Sequence, residues 1–270
     1  MLTNTASVEG YVVCLYVSFA VQLLISFFLL KGLVKVTPLD GLREILRQIF
    51  GHGLIIQISN VAQLLNYRLS YFFLEFFIGL AALGVFSTAS TVAEAVWLIS
   101  RSIALVQYSG IVNSKDEAYN RRMTLRMSKL SIAGSLAALL PMILLPPSFY
   151  AYVFGEEFSG IGFQILLLSP GILALAFATV LAHYFAGLGQ NKLNLYSSLS
   201  GLAATIPASL LLIPAMGLNG AAIAVSASYL STSVHLYVIY RKRTGMRLRE
   251  LIPAKDDIDF IKSQFFNKLR

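Results

Sequence analysis

The chain has 270 residues, of which 57% are hydrophobic and only 13% are charged, and its mean hydropathy is +0.72. A soluble domain usually carries about 25% charged residues, so the composition excludes an ordinary soluble enzyme and a disordered chain. The formal net charge of +8 does not indicate a nucleic-acid partner, because the basic residues cluster beside long apolar runs, as in a polytopic membrane protein.

Seven segments are long and apolar enough, or nearly so, to cross a bilayer, which takes about 20 residues. The predicted fold class is therefore an all-α polytopic membrane protein. The first segment lacks the preceding basic residues of a cleaved signal peptide and is too long for one. The sequence predicts spans near residues 10–30, 53–74, 80–107, 130–147, 162–188, 195–213 and 220–240, followed by a basic, amphipathic tail over residues 241–270.

Alternate connections between these segments differ in charge. One side of the predicted bundle holds every Lys and Arg except Arg68 and Arg101, which lie inside spans. The positive-inside rule makes that side cytoplasmic, with the C-terminus inside and the N-terminus outside. Because an uncharged first helix that enters from outside is unusual in a complete protein, we expect the C-terminal part of a longer transporter or a truncated gene product. The charged residues of the other side are all acidic: Glu9, Glu75, Glu156 and Glu157.

Three charged side chains lie inside predicted spans, where each costs about 2.5–3.5 kcal/mol and therefore favours a cavity or a partner. Arg68 lies in the second span, whereas Glu94 and Arg101 share one face of the third. At about 1.5 Å per residue, Arg68 and Glu94 differ in depth by about 12 Å, near the reach of two extended side chains. Gln63 and Asn66 add polar groups to the second span. We predict that these five residues line a hydrated, substrate-binding cavity.

A second interpretation of these charges stays open. In it, Arg68 and Arg101 extend to opposite membrane surfaces, and hydroxyl groups satisfy Glu94. If the arginines do face a cavity, their planar donors suit the oxygens of a phosphate. His183 is predicted to be a packed, neutral residue bonded to a backbone carbonyl. The sequence shows no metal or cofactor motif and no nucleophile with an adjacent base, so it predicts no cofactor and no enzyme.

Several segments, in order, resemble polysaccharide (O-antigen type) flippases of the multidrug/oligosaccharidyl-lipid/polysaccharide exporter superfamily. The likeness covers about residues 10–240. It implies that the chain matches the sixth to twelfth helices, which make up one lobe and one extra helix of a two-lobed MATE-like exporter. The segments that carry it are residues 66–74 (NYRLSYFFL), 83–89 (LGVFSTA), 93–100, 152–158, 168–171, 183–189 and 213–222.

The resemblance implies export of an undecaprenyl-pyrophosphate-linked oligosaccharide, as in O-antigen and lipopolysaccharide synthesis, across the bacterial inner (plasma) membrane by alternating access. The implied partners are this lipid-linked oligosaccharide, membrane lipids and a coupling cation, either a proton or sodium. Arg68 and Arg101 would compensate the pyrophosphate charge, and Glu94 would bind the coupling ion or hold an arginine between substrates. The family's acidic residue two positions after the first arginine is Ser70 here, which puts a role for an acidic partner there in doubt.

Two other functions stay open. One is a multidrug or cation antiporter of the same fold, whose cavity should be acidic and aromatic. The other is an inactive, truncated membrane fragment, because a cavity formed between two lobes is incomplete in one of them.

Overall fold

In a computed structural model of the chain, residues 8–31 and 42–252 are described, and their regular elements are all helical. The described part is thus all-α, as predicted. Short 3-10 helices follow α6 (Glu156–Phe158) and α8 (Leu248–Leu251). The α-helices of these residues are α1 Val8–Lys31, α2 Leu42–Ile78, α3 Leu80–Glu94, α4 Trp97–Val112, α5 Glu117–Leu144, α6 Pro147–Phe154, α7 Ile161–Gly187 and α8 Asn191–Thr244.

Among the described helices, five stretches are long and apolar enough to cross a membrane. The last of them contains two of the predicted spans, so the five stretches overlap six of the seven predicted segments. α2 holds the remaining segment, and its amide and charged side chains make it too polar for the same test. The five stretches are Glu9–Lys31, Leu80–Val112, Glu117–Leu144, Glu156–Gly187 and Asn191–Thr244.

The chain divides into two compact units, residues 1–50 and 51–270. In the first unit, α1 is apolar along its length, as expected for a helix that crosses a bilayer. The first residues of α2 belong to the same unit. The rest of α2 and the helices α3–α8 form the second unit, which contains the buried core.

α8 is a helical hairpin rather than one straight helix. A straight helix of 54 residues would measure about 80 Å, far more than a bilayer needs. Gly217 breaks the helix with φ 58° and ψ −129°, which divides it into a first arm, residues 191–216, and a second arm, residues 218–244. Thr205 Oγ1 lies 2.7 Å from Ser228 Oγ, so the arms pack in antiparallel register. Two predicted spans are therefore joined almost without a loop.

α7 lies at the centre of the bundle and stays helical through Pro170. Proline lacks the N–H that would bond the carbonyl four residues earlier, which here belongs to Leu166. The Ser169 hydroxyl donates to that carbonyl at 2.7 Å and replaces the missing partner. The next N–H, from Gly171, donates to Ser226 Oγ in the second arm of α8 at 2.9 Å. Neighbouring hydroxyl groups thus repair the backbone around the proline, as membrane helices require.

One end of the second unit gathers basic residues. Arg243 lies 3.8 Å from Glu117 and donates a hydrogen bond to Gln190 at 2.8 Å, which brings together the end of α8, the start of α5 and the α7–α8 connection. Arg121 forms an ion pair with Glu250 at 2.6 Å that holds the second 3-10 helix at the same end. We call this the basic end.

The helix bounds differ from the predicted spans in two places. α5 begins at Glu117, where Asp116 caps it by accepting from the Ala118 N–H at 2.8 Å, although the predicted span begins only at residue 130. Hydropathy detects only the apolar part of a helix that continues beyond it. The third predicted span is interrupted after Glu94 by a short turn, and α4 resumes at Trp97. Most of the predicted tail, residues 253–270, lies outside the described residues.

Candidate functional site

A cavity of about 710 Å³ is walled by α2, α3, α4 and α7 of the second unit. Four of the five predicted site residues lie in this wall. The wall also contains aromatic and polar residues that the sequence did not single out as site residues. The predicted four are Gln63, Arg68, Glu94 and Arg101, and the others include Asn60, Tyr67, Thr91, Trp97, Thr179 and His183.

Arg68 and Glu94 form an ion pair across the cavity wall. Arg68 Nη2 lies 3.4 Å from Glu94 Oε2, and the side chains are 41% and 11% exposed, respectively. Side chains lean toward the N-terminus of their own helix, and α2 and α3 run in opposite directions, so the two side chains lean toward each other. This convergence explains how two residues at the limit of reach form a direct pair. Arg68 Nη1 also donates to the Tyr71 hydroxyl.

Glu94 also contacts α8. Its Oε1 accepts a hydrogen bond from the Tyr229 hydroxyl at 3.2 Å, and Tyr229 is fully buried in the second arm of α8. One carboxylate in α3 is therefore held by α2 through Arg68 and by α8 through Tyr229. Such a shared partner couples the cavity wall to the packing of the hairpin.

Arg101 differs from Arg68 in that its charge is not balanced by an ion pair with a carboxylate of the described residues. Its side chain is exposed, and its guanidinium carbon lies 5.9 Å from the centroid of the Trp97 ring, a cation–π contact. Among the described residues, no carboxylate forms an ion pair with it. The cavity thus carries two guanidinium groups and one carboxylate that is already paired with Arg68.

Three aromatic rings form a packed cluster beside the charged groups. The Tyr67 centroid lies 4.7 Å from that of Trp97 and 5.6 Å from that of Tyr229, and the other two are 5.7 Å apart. Gln63 Nε2 donates to the Tyr67 hydroxyl. Because Tyr67 and Trp97 belong to the cavity wall, this cluster gives the wall a rigid aromatic part.

Asn66 does not belong to the cavity wall, contrary to the prediction. Its side chain is only 2% exposed, and it bonds to both arms of α8: its Oδ1 accepts from Thr205 at 2.8 Å and from Ser228, and its Nδ2 donates to Thr232 at 3.2 Å. Two residues turn a helix by about 200°, so Asn66 and Arg68 face opposite ways. Asn66 is a residue of the α2–α8 interface.

The contribution of α7 to the wall was not predicted from the sequence. His183 bonds through Nδ1 to the Thr179 carbonyl at 2.8 Å, which is the predicted backbone contact, yet its ring also lines the cavity. A carbonyl oxygen only accepts, so Nδ1 carries the proton, and Nε2 of the neutral ring is an acceptor. Only the packing of α7 against α4, where the His183 ring lies 6.4 Å from that of Tyr108, brings Thr179 and His183 into the wall.

No family model matches the chain. Over 199 residues, 73% of the chain and 50% of the relative, it is 24% identical to the capsular polysaccharide biosynthesis protein CapF of Staphylococcus aureus. The chain thus spans about half the length of the curated relative it matches.

Two solved structures are similar to the chain at 18% identity, and 77% of the chain is covered in each comparison. A MOP-superfamily transporter from Pyrococcus furiosus Vc1 matches over 48% of its own chain with a TM-score of 0.62. An outward-facing multidrug resistance MATE family transporter matches over 49% of its chain with a TM-score of 0.54. The described part of the chain is therefore all-α, its apolar helices are those of a multi-pass membrane protein, and its fold is similar to about half of each of these MATE-like transporters.

Proposed function

We propose that the chain supplies the cargo-binding lobe of a transporter that moves an undecaprenyl-pyrophosphate-linked oligosaccharide across the bacterial inner membrane by alternating access. One observation carries the proposal: the cavity holds Arg101 without a carboxylate partner among the described residues, beside an Arg68 that Glu94 already compensates. Such a cavity favours an anionic cargo. The Staphylococcus aureus relative, a capsular polysaccharide biosynthesis protein, supports a glycan as the rest of that cargo.

The cargo's pyrophosphate binds at Arg101 while its lipid chain stays in the bilayer. Moving a bare pyrophosphate through hydrocarbon is prohibitively costly, so a guanidinium group that travels with the cavity lowers the barrier. Charge-assisted bonds from a planar guanidinium also orient the phosphate oxygens. Gln63 lies in the same wall and supplies an amide to the glycan or the phosphate.

Glu94 holds Arg68 between cargoes. When a phosphate competes for Arg68, the carboxylate keeps the Tyr229 hydroxyl as a partner and takes up the coupling cation, a proton or sodium. The lobe then rocks against the remainder of the transporter and exposes the cavity to the other side. In this proposal the basic end is cytoplasmic, the C-terminus lies inside and the N-terminus outside.

A multidrug or cation antiporter is the second candidate, and the aromatic part of the wall favours it. Tyr67 and Trp97 beside Glu94 offer π faces and a carboxylate to an organic cation. One of the similar structures is a multidrug resistance transporter. Arg101 opposes this reading, because it repels a cation at the same wall.

The experiment replaces Arg101→Gln at the chromosomal locus and measures surface polysaccharide, drug susceptibility and the amount of the protein in the membrane. Arg122→Gln is the matched control, because Arg122 is an exposed arginine of α5 outside the cavity wall. We expect loss of surface polysaccharide only in the Arg101 variant, at an unchanged protein level. Normal polysaccharide in both Arg101→Gln and Arg68→Gln would overturn the proposal, and a changed drug susceptibility alone would favour the antiporter.

Deletion of the gene tests the remaining alternative, an inactive fragment. An exporter predicts that the deletion abolishes surface polysaccharide and that the wild-type copy restores it. A deletion without effect on glycan or drug phenotypes would identify the chain as inactive in both roles.

A further inference from the structure

A second polar cluster lies near the basic end, where α4, α5 and the second arm of α8 meet. Its members are outside the cavity wall and almost inaccessible: Gln107, Thr124, Ser128 and Tyr240 are 0% exposed and Asn120 is 3% exposed. Their spacing of four residues puts Asn120, Thr124 and Ser128 on one face of α5. We call this cluster the polar junction.

Thr124 is the centre of the polar junction. Gln107 Nε2 of α4 donates to Thr124 Oγ1 at 2.9 Å, and Thr124 Oγ1 donates its own proton to the Asn120 carbonyl at 2.8 Å. The phenol of Tyr240 lies beside Thr124 from the second arm of α8. Three helices therefore bring polar groups to one buried point.

Among the described residues, three buried atoms of the polar junction have no hydrogen-bond partner. They are Gln107 Oε1, Asn120 Oδ1 and Ser128 Oγ. Folded proteins pair nearly all of their buried polar atoms, because an unpaired one loses its hydration without compensation. Three such atoms in one junction indicate an additional ligand.

We infer that the polar junction is a hydration site that binds one or more ordered water molecules between α4, α5 and α8. Its two unpaired amide oxygens are acceptors, and the Ser128 hydroxyl both donates and accepts, which is the mixed set that buried water requires. A metal ion is disfavoured because the charged neighbour of Tyr240 is the cation Arg121. An anion is disfavoured because the amide oxygens would repel it. Water satisfies both kinds of group and carries no charge.

Radiolytic footprinting in 18O-labelled water tests the inference with the complete protein in lipid nanodiscs. Hydroxyl radicals form from bound water and oxidise the side chains beside it, so Tyr240 should incorporate 18O despite its burial. Tyr150 is the matched internal control, since it is 2% exposed and its hydroxyl donates to the Met142 carbonyl. We expect several-fold more 18O at Tyr240 than at Tyr150. Equal incorporation at the two tyrosines would overturn the inference.

Two variants extend the test. Gln107→Leu removes an unpaired acceptor and fills space, so it should abolish most of the excess 18O at Tyr240. Ser135→Ala changes a buried serine of α5 whose hydroxyl pairs with that of Ser100 at 3.1 Å, and it should leave the labelling unchanged. Unaltered labelling in a folded Gln107→Leu protein would contradict the inference. If that variant does not fold, the comparison of Tyr240 with Tyr150 in the unsubstituted protein decides by itself.

Discussion

Two polar clusters lie on α2 within two residues of each other, and they differ in charge, exposure and pairing. Arg68 is 41% exposed beside the cavity, and its partner Glu94 lies 3.4 Å away. Asn66 is 2% exposed, and its amide bonds three hydroxyl groups of the α8 hairpin. A polar residue at membrane depth is therefore not by itself a site. A charge that stays partly uncompensated and reaches a cavity indicates a binding site better than polarity alone does.

The largest expected effect is on the charged side of this comparison. Arg101→Gln removes a charge-assisted bond to phosphate worth about 1.5–3 kcal/mol, so transport should fall by about 10- to 150-fold. Folded stability should change little, because the side chain is exposed and has no carboxylate partner among the described residues. Uptake of a labelled lipid-linked oligosaccharide into vesicles measures the loss. A large fall in the free energy of unfolding, with unaltered transport per folded protein, would contradict this prediction.

The neutral cluster should respond in the opposite way. Asn66→Leu removes three interhelical bonds worth about 0.6 kcal/mol each, so the free energy of unfolding should fall by about 2 kcal/mol. Transport should decline only in proportion to the amount of folded protein. Unfolding in mixed detergent–SDS micelles measures the change. Ser70→Ala, which removes one bond to Ser209, is the matched control and should cost about a third as much.

Glu94→Gln tests whether the ion pair with Arg68 competes with binding of an anion. The substitution releases Arg68 from a pair that is partly exposed, and such pairs contribute about 0.2–1 kcal/mol. Binding of inorganic pyrophosphate should therefore tighten by up to about fivefold. Titration calorimetry on the reconstituted protein measures it. Weaker pyrophosphate binding would mean that Glu94 orients Arg68 toward the anion rather than competing with it.

Gln63→Ala should have the smallest effect. It removes a hydrogen bond to the Tyr67 hydroxyl at a partly exposed position, which is worth about 0.5 kcal/mol, or about twofold in transport. The vesicle uptake assay is again the measurement. A loss beyond tenfold would contradict this ranking, because it would exceed what one neutral amide contributes.

Much of the fold was predictable because a helix that crosses a bilayer needs a run of about 20 apolar residues, which is visible in the sequence. Six of the seven predicted segments overlap stretches that are apolar enough to cross it. Helix ends were less predictable: α5 begins at Glu117 because an Asp116 cap, not hydropathy, sets its start. The α8 hairpin was predicted as two spans with a connection over residues 214–219, but one glycine at position 217 makes the turn.

The charged part of the cavity wall was predictable for an energetic reason. Charges are costly in hydrocarbon, so Arg68, Glu94 and Arg101 stand out from the sequence alone, and all three line one cavity. Neutral residues carry no such signal. Asn66 was assigned to the wrong side of α2, and His183 was not assigned to the wall, because only helix rotation and packing decide which neutral polar residues meet a cavity.

The α8 hairpin has a consequence for how the bundle is reached from outside. A Cβ on Gly220 would lie 2.0 Å from the Leu212 carbonyl oxygen, so the backbones of the two helical arms are in contact next to the turn. Proteases need several residues of extended chain to bind, and this turn presents none. The surface at that end is accessible instead through the longer segment around Glu156, where an inserted epitope should report the sidedness of the whole protein.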